Sequence, residues 1–280
     1  MAEIINNLNT KEPLLEFPEI KTSDRILILA PHIDDEIVSS AGIIQQANQA
    51  GSKILIIYAT NGDNSLYVLM RKLLRPNWFI SFGKKRMAEA RKATAVLGLK
   101  EENLIFLGYP DNGLKQMSNR SIPCTSRSTR LNFNPYQGTY REKQQYTKDN
   151  LINDLSEIAN NFKPTIVIIP HPEDKHPDHK SLFHYWKEVA VKDKIHPDQY
   201  AYLVHFKSFP WKKGSKKDEL LQPPKELPLK RSWHSFNLSS DQEKKKIEAV
   251  RQNASQLKRF STSNLLKAFI RKNEIFEKME

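Results

Sequence analysis

The stretch Arg25-Ile26-Leu27-Ile28-Leu29-Ala30-Pro31-His32-Ile33-Asp34-Asp35-Glu36 decides the fold, because an apolar run ends abruptly in a proline, a histidine and three carboxylates. A continuous apolar run is typical of a strand buried inside a parallel sheet. In open α/β sheets, ligands bind just beyond the carboxyl ends of such strands. We therefore expect the side chains from His32 to Glu36 to lie where folds of this class build their sites.

A second stretch repeats this layout far along the chain: Thr165-Ile166-Val167-Ile168-Ile169-Pro170-His171-Pro172-Glu173-Asp174-Lys175-His176-Pro177-Asp178-His179. Two predicted strands that both end in Pro-His and acids suggest one site assembled from both. Imidazole and carboxylate together are the donors of a zinc-type divalent metal. The two stretches therefore predict a metal centre at one edge of a sheet.

A catalytic zinc takes three protein ligands and keeps a fourth position for water. The economical assignment takes His32 and Asp35 from the first stretch and His179 from the second. Asp34 is then free to accept a proton from water, and His176 can face the substrate. A metal, a base and such a histidine are what amide hydrolysis requires.

Two alternatives stay open at this point. Asp34, Asp35 and Asp178 could simply cap the helices that follow them, because aspartate favours such positions. Two histidines and one carboxylate also form the site of non-haem iron oxygenases, so Fe²⁺ is a second candidate metal.

Asp174 is placed to accept the remaining ring N–H of a ligating histidine. His171 is expected to be a loop residue around the site, whereas surface or packing roles are expected for four further histidines: His184, His196, His205 and His234.

Patterning along the rest of the chain predicts a β-α-β unit followed by further alternation of strands and helices. The predicted strands are 25–30, 53–60, 104–108, 165–169, 200–206 and 233–238. The predicted helices are 37–50, 84–97, 151–162, 180–192, 241–257 and 263–278. Residues 64–83 and 114–146 lack clean periodicity, and we predict irregular segments there. Asp63 is expected to be a turn residue.

These elements predict an α/β fold, Rossmann-like, with a mostly parallel sheet flanked by helices and a smaller C-terminal α+β portion. We expect an N-terminal extension over residues 1–23 and a catalytic core over 24–195. The C-terminal strands and helices of 196–280 are expected to complete the same domain.

The amino-acid composition limits which classes of function are expected for this protein. The chain has 280 residues, one cysteine and a net charge of +12. No secretory signal or membrane-spanning run is visible, and a single cysteine fits a reducing setting, so a cytoplasmic location is expected. The positive charge falls largely in proline-rich and polar segments without a nucleic-acid-binding module, which favours a solvated surface over nucleic-acid binding. The oligomeric state is left open.

The residues of both stretches carry a family resemblance. Pro31-His32-Ile33-Asp34-Asp35-Glu36 resembles the Pro-His-Pro-Asp-Asp-Glu signature of the PIG-L/LmbE-like zinc deacetylases, and His176-Pro177-Asp178-His179 resembles their second motif. The resemblance covers roughly residues 24–190. It implies removal of an acetyl group from an N-acetylglucosamine conjugate. Ile33 departs from the family's proline, and Asn112 interrupts its frequent Pro-Asp-Gly pattern.

The resemblance also implies roles for individual residues. His32, Asp35 and His179 would be zinc ligands and Asp34 the general base. His176 would be the electrophilic or acid histidine, with Asp178 orienting it. Arg86 and Asp111 match positions that contact substrate, although Arg86 alone could equally be a solvated helix residue.

A non-enzymatic alternative is a basic binding protein that keeps the deacetylase fold. The presence of all motif residues that carry chemistry argues against this alternative. The sequence does not identify the group that carries the amino sugar. Arg71, Lys72, Arg75, Arg120, Arg127 and Arg130 permit an anionic or phosphorylated conjugate.

Overall fold

The computed structural model describes residues 14–64, 75–118, 122–207, 209–210, 214, 216–227 and 232–280. Several predictions from sequence therefore concern residues outside the described ones: residues 1–13 of the extension, 65–74 of the first irregular segment, and Arg71, Lys72 and Arg120. The predicted domain division stays a prediction.

Within the described ranges, eight strands form a single sheet in the order β1-β7-β8-β6-β5-β2-β3-β4. The strands are β1 (Leu15–Glu16), β2 (Arg25–Ala30), β3 (Lys53–Thr60), β4 (Leu104–Tyr109), β5 (Ile166–Pro170), β6 (Asp198–Tyr202), β7 (Trp233–Asn237) and β8 (Asn273–Met279). All neighbouring pairs are parallel except those of β8 with β6 and β7. The predicted α/β fold with a mostly parallel sheet is confirmed.

Helices cover both faces of this sheet. They are α1 (Asp35–Ala50), α2 (Pro76–Val96), α3 (Leu114–Met117), α4 (Lys148–Phe162), α5 (Pro177–Asp193), α6 (Ser240–Gln252), α7 (Ala254–Leu257) and α8 (Phe260–Ala268), with a short 3-10 helix at Glu101–Asn103. None of the described helices is long and apolar enough to cross a bilayer.

The apolar run of β2 is buried because both of its faces are covered. Ile26 and Ile28 belong to one hydrophobic core, and Leu27 and Leu29 belong to the core on the other face. This alternation follows from the two-residue period of a strand. Strand β2 lies between β3 and β5, and the strand order proceeds from it through β3 and β4 on one side and through β5 and β6 on the other. Ligand sites of open α/β sheets form at such a switch point, beside the carboxyl ends of the strands.

Helix α2 begins eight residues before its predicted start, so the prediction of irregular structure is wrong for residues 76–83. Pro76 occupies the first turn, where its missing N–H costs nothing. Phe79 and Phe82 are buried, and the rings of Trp78 and Phe82, one helical turn apart, stack with centroids 5.4 Å apart. The packing of these aromatic rings stabilises the first turns of α2, and the sequence pattern did not predict it.

The predicted C-terminal helix over 263–278 is also wrong beyond Ala268. Residues Asn273–Met279 form strand β8, which pairs with β6 on one side and β7 on the other. A strand enclosed in this way is buried on both faces and shows little alternation, and its acidic and basic residues resemble a helix pattern. Pairing within the sheet therefore overrides the local pattern.

Helix α1, which starts at the first sequence cluster, is broken at Ser40, where φ is −138° and ψ is 16°. In a regular helix the N–H of Gly42 would donate to the carbonyl of Val38. Here Gly42 N–H donates to both carboxylate oxygens of Glu274 at 3.0 Å, while Lys246 Nζ donates to the Val38 carbonyl at 3.0 Å. Lys246 and Glu274 are 2.7 Å apart and buried. A buried ion pair thus replaces one hydrogen bond of the helix.

Candidate metal centre and active site

The first cluster follows β2 and enters α1 through a strained turn. Asp34 has φ 109° and ψ −23°, a backbone conformation that a residue with a side chain rarely adopts. Its carboxylate makes no capping hydrogen bond to α1. Instead, Glu36 Oε2 accepts the N–H of Asp34 at 3.0 Å, and Asp35 Oδ2 accepts the N–H of His32 at 2.9 Å. The capping alternative therefore fails for Asp34, whose carboxylate faces the cavity described below.

His32 is surrounded by carboxylates from three elements. Its Nδ1 lies 3.4 Å from Asp35 Oδ2, and its Nε2 lies 3.4 Å from Asp111 Oδ1 and 3.3 Å from Asp178 Oδ2. Although burial opposes the shift, the contacts with Asp111 and Asp178 raise the pKa of His32 well above its usual value. Asp111 is itself fixed, because its Oδ2 accepts the N–H of Asn64 at 2.9 Å.

The second cluster brings His179 to the same carboxylate. His179 is fully buried, with Nε2 3.3 Å from Asp35 Oδ2 and Nδ1 3.2 Å from Asp174 Oδ2. Against the effect of burial, Asp174 and Asp35 raise the pKa of His179 to about 9. Asp174 Oδ2 also accepts the N–H groups of Val204 and His205, each at 3.0 Å. The ring centroids of His32 and His179 are 5.3 Å apart.

These residues fit a zinc-type ion on geometry and chemistry. Ligands about 2.0–2.1 Å from a tetrahedral ion lie about 3.3–3.4 Å from each other. The distances from Asp35 Oδ2 to His32 Nδ1 and His179 Nε2, 3.4 and 3.3 Å, match this spacing. Among the described residues, neither ring nitrogen of His179 has a well-aligned hydrogen bond. A metal ion would satisfy this buried donor set.

Ligand atoms converge in three overlapping groups, each with all atoms within 4.8 Å of one another. The groups are His32 with His176 and His179; Asp35 with His179 and His205; and His32 with Asp111 and Asp178. The predicted set of His32, Asp35 and His179 spans the first two groups and is joined through Asp35 Oδ2. Sequence reasoning thus identified most of the cluster but missed His205.

Asp34 is paired with Arg86 from helix α2. Arg86 is 1% exposed, and its Nη2 lies 3.2 Å from Asp34 Oδ2 and donates to the carbonyl of Ile33. Arg86 is therefore a buried residue of the site and not a solvated helix residue. Burial raises the pKa of Asp34 to about 6, against the lowering effect of the Arg86 charge. Such a carboxylate is ionised at neutral pH and is a stronger base than an exposed aspartate.

His176 is the N-cap of helix α5, and its Nδ1 accepts the N–H of Asp178 at 3.2 Å. When the imidazole is neutral, this bond assigns the ring proton to Nε2. Burial, together with the charges of His32 and His179, lowers the pKa of His176 to about 4. His176 is therefore a neutral imidazole at pH 7, which can donate a hydrogen bond from Nε2.

Asp178 was expected to orient His176, but its carboxylate points elsewhere. Oδ2 accepts the N–H of Asn112 at 2.6 Å, and Oδ1 accepts the N–H of Leu114 at 3.1 Å. The same carboxylate faces His32, so only the backbone N–H of Asp178 contacts His176. Asp178 therefore joins the loop after β4 to helix α5 and to His32.

Asp63 lies at its predicted turn but is buried. It accepts hydrogen bonds from Tyr136 at 2.5 Å and Ser128 at 2.8 Å. Burial, and then the charge of Asp111, raises its pKa to about 7. Of the segment 114–146 that was expected to be irregular, 114–118 and 122–146 are described; residues 114–117 form helix α3 instead, and Ser128 and Tyr136 pack against the rim of the site.

A cavity of about 230 Å³ opens over the cluster. It is lined by His32, Asp34, Arg86 and His176 and by residues of α8 and of its two ends: Arg259, Thr262, Leu265, Leu266 and Phe269. The sequence contained no signal for His205, because that residue fell inside the predicted strand 200–206. It contained no signal that α8 would reach the site.

The chain is similar to one protein family and to several solved structures. The model of the GlcNAc-PI de-N-acetylase (PIG-L) family matches residues 27–190. Among solved structures, N,N'-diacetylchitobiose deacetylase from Pyrococcus horikoshii is similar at 16% identity and a TM-score of 0.57, over 92% of this chain and 84% of that one. A zinc-inhibited form of teicoplanin deacetylase has the same identity and TM-score, over 91% and 97%.

The 4-carboxy-2-hydroxymuconate hydratase of Pseudomonas putida KT2440 is also similar, at 14% identity and a TM-score of 0.53, over 87% of this chain and 82% of that one. At such identities the likeness to solved structures shows a shared fold. Because this fold also occurs in a hydratase, the reaction has to be argued from the residues of the site.

Proposed function

Because the chain belongs to the GlcNAc-PI de-N-acetylase (PIG-L) family, whose model matches more than half of its length, we propose that it is a metal-dependent N-deacetylase. Its substrate class would be a conjugate of N-acetylglucosamine. The observation that carries the proposal is a zinc-type donor set, of which His32 and Asp35 line the cavity, beside a separate carboxylate in the same cavity, that of Asp34, which makes no capping hydrogen bond and is not part of the donor set.

His32, Asp35 and His179 would hold the ion, which when bound supplies a Lewis acid and lowers the pKa of water to about 7. Asp34 accepts a proton from the water that attacks the amide carbon, forming the C–O bond. Arg86 holds the Asp34 carboxylate in place through their 3.2 Å contact. The proton on Asp34 then passes to the amide nitrogen as the C–N bond breaks, which yields acetate and a free amine.

His176 acts on the amide oxygen. Since its Nδ1 accepts the N–H of Asp178, its Nε2–H is available to donate a hydrogen bond to the oxygen as negative charge develops there. Because the pKa of Asp34 is about 6, its base form is lost as the pH falls below that value. Deacetylation should therefore decline on the acid side of about pH 6.

The wall formed by α8 supports a proposal about the group attached to the sugar. Leu265, Leu266 and Phe269 give this wall an apolar surface, and Arg259 adds a positive charge. Among the described residues, the Arg259 side chain makes no hydrogen bond or ion pair, so its guanidinium can bind a carboxylate or phosphate. The anionic conjugate expected from the basic loops is thus supported by a different residue, Arg259.

The test is acetate release by the zinc-loaded full-length protein from N-acetylglucosaminyl conjugates whose attached groups are neutral, carboxylate or phosphate. We expect metal-dependent release that is abolished by a chelator and restored by zinc, with preference for the anionic conjugates. Absence of acetate from every conjugate, with oxygen consumption by the iron-loaded protein, would instead support the non-haem iron alternative.

A further inference from the structure

His205 reaches the candidate metal centre on a segment that leaves the sheet. Strand β6 ends at Tyr202, so the predicted continuation to residue 206 is wrong, and buried Leu203 and Val204 lead the chain toward the second cluster. The backbone of His205 is fixed there on both sides. Its N–H donates to Asp174 Oδ2 at 3.0 Å, and its carbonyl accepts the N–H of Lys175 at 2.6 Å.

The ring of His205 lies among the other histidines of the site. Its centroid is 4.9 Å from that of His179 and 5.1 Å from that of His176. The ring lines the same cavity as His32 and Asp34. Among the described residues, no hydrogen bond to either ring nitrogen of His205 is found. The side chain of His205 is partly exposed where it lines this cavity, so a ligand bound in the cavity can reach the ring.

Ligand atoms of Asp35, His179 and His205 all lie within 4.8 Å of one another. Two ligands of one zinc ion are at most about 4.2 Å apart, since each bond is about 2.0–2.1 Å long. Shifts of less than about an ångström would therefore bring this group to bonding distance. A carboxylate with two imidazoles is a donor set that zinc prefers.

We propose that His205 is a metal ligand in addition to His32, Asp35 and His179 at the centre inferred above, with water as a fifth ligand, because catalytic zinc sites can expand to five ligands. This inference rests on the proposed function only in requiring that the centre binds a metal. It would make the segment after β6 part of the metal site, and it would link the order of that segment to metal binding.

The experiment compares full-length wild-type protein with His205→Ala. Zinc K-edge absorption spectroscopy counts the imidazoles bound to zinc, and competition with a chelating dye measures the zinc Kd. We expect one imidazole fewer in the variant and a zinc Kd raised at least roughly tenfold, because even residues behind the ligands affect affinity by this amount. Imidazole added to His205→Ala should bind zinc in place of the missing side chain and restore the imidazole scattering in the absorption spectrum.

His184→Ala is the matched control, because His184 is exposed on helix α5 and its removal should change neither quantity. Circular dichroism of the metal-free proteins checks that His205→Ala folds, and His205→Asn provides a second variant that keeps a polar side chain. An unchanged imidazole count and zinc Kd in both His205 variants would overturn the inference.

His179→Ala separates this failure from failure of the metal centre. If zinc binding is lost in His179→Ala but unaffected in the His205 variants, only the role of His205 is refuted. If His179→Ala binds zinc like the wild type, the centre itself is refuted, and the proposed function falls with it.

Discussion

Replacing Glu274 by glutamine tests how the broken helix α1 is held. The glutamine would leave the ammonium of Lys246, 1% exposed, without its counter-charge 2.7 Å away. Removing one partner of a buried ion pair costs about 3–5 kcal/mol. Because the glutamine oxygen can still accept the Gly42 N–H, we expect the low end, about 3 kcal/mol of unfolding free energy. For a chain of this size that corresponds to a Tm lowered by roughly 6–12 °C.

Urea unfolding followed by circular dichroism measures this loss as a lower midpoint at constant m-value. The double variant Lys246→Met with Glu274→Gln should recover more than half of the stability, since no buried charge then remains unpaired. Asp241→Asn is the control: its ion pair with Lys244, also on helix α6, is 3.0 Å long but exposed, and loss of this charge in the first turn should cost at most about 1 kcal/mol. A Glu274→Gln protein as stable as the wild type, or a double variant destabilised by the sum of both losses, would refute the argument.

Three further predictions concern the rim and the contacts behind the cluster. Because burial raises the pKa of Asp63 to about 7, the folded state binds more protons than the unfolded state between about pH 4 and 7. The unfolding free energy of the wild type should therefore fall, relative to that of Asp63→Asn, as the pH rises from about 4 to 7, by at most about 1.4 kcal/mol per pH unit. A difference in urea unfolding that does not change with pH would contradict this. Arg259→Ala should raise KM roughly tenfold or more for anionic conjugates only. The control Arg251→Ala, which changes an exposed arginine, should leave KM unchanged. An equal rise in KM for neutral conjugates would exclude charge recognition by Arg259. Asp178→Asn should lower zinc affinity or kcat/KM roughly 10- to 100-fold through its contact with His32, and wild-type values for both would remove that role.

The sequence predicted the central sheet because its strands are continuous apolar runs between helical segments. It also predicted that His32, Asp35 and His179 would meet, since the carboxyl ends of neighbouring parallel strands share one edge of a sheet. These inferences depend on local pattern and simple topology, and both are visible in a single chain.

What the sequence did not reveal depends on tertiary contacts. Strand β8 resembles a helix until its pairing with β6 and β7 is known. His205 resembled an exposed strand residue because the end of β6 at Tyr202 is set by how the chain turns toward Asp174. The direction of the Asp178 carboxylate, toward Asn112 and His32, likewise depends on a loop distant in sequence. The cytoplasmic location expected from composition stays a prediction.

The most direct test of the central claim is to measure zinc Kd and acetate release side by side for the wild type and Asp34→Asn. The variant should bind zinc as the wild type does, because Asp34 is not a ligand. Acetate release from an N-acetylglucosaminyl conjugate should fall by roughly 10²- to 10⁴-fold, the usual contribution of a general base. Acetate release at the wild-type rate by the zinc-loaded variant would contradict the account.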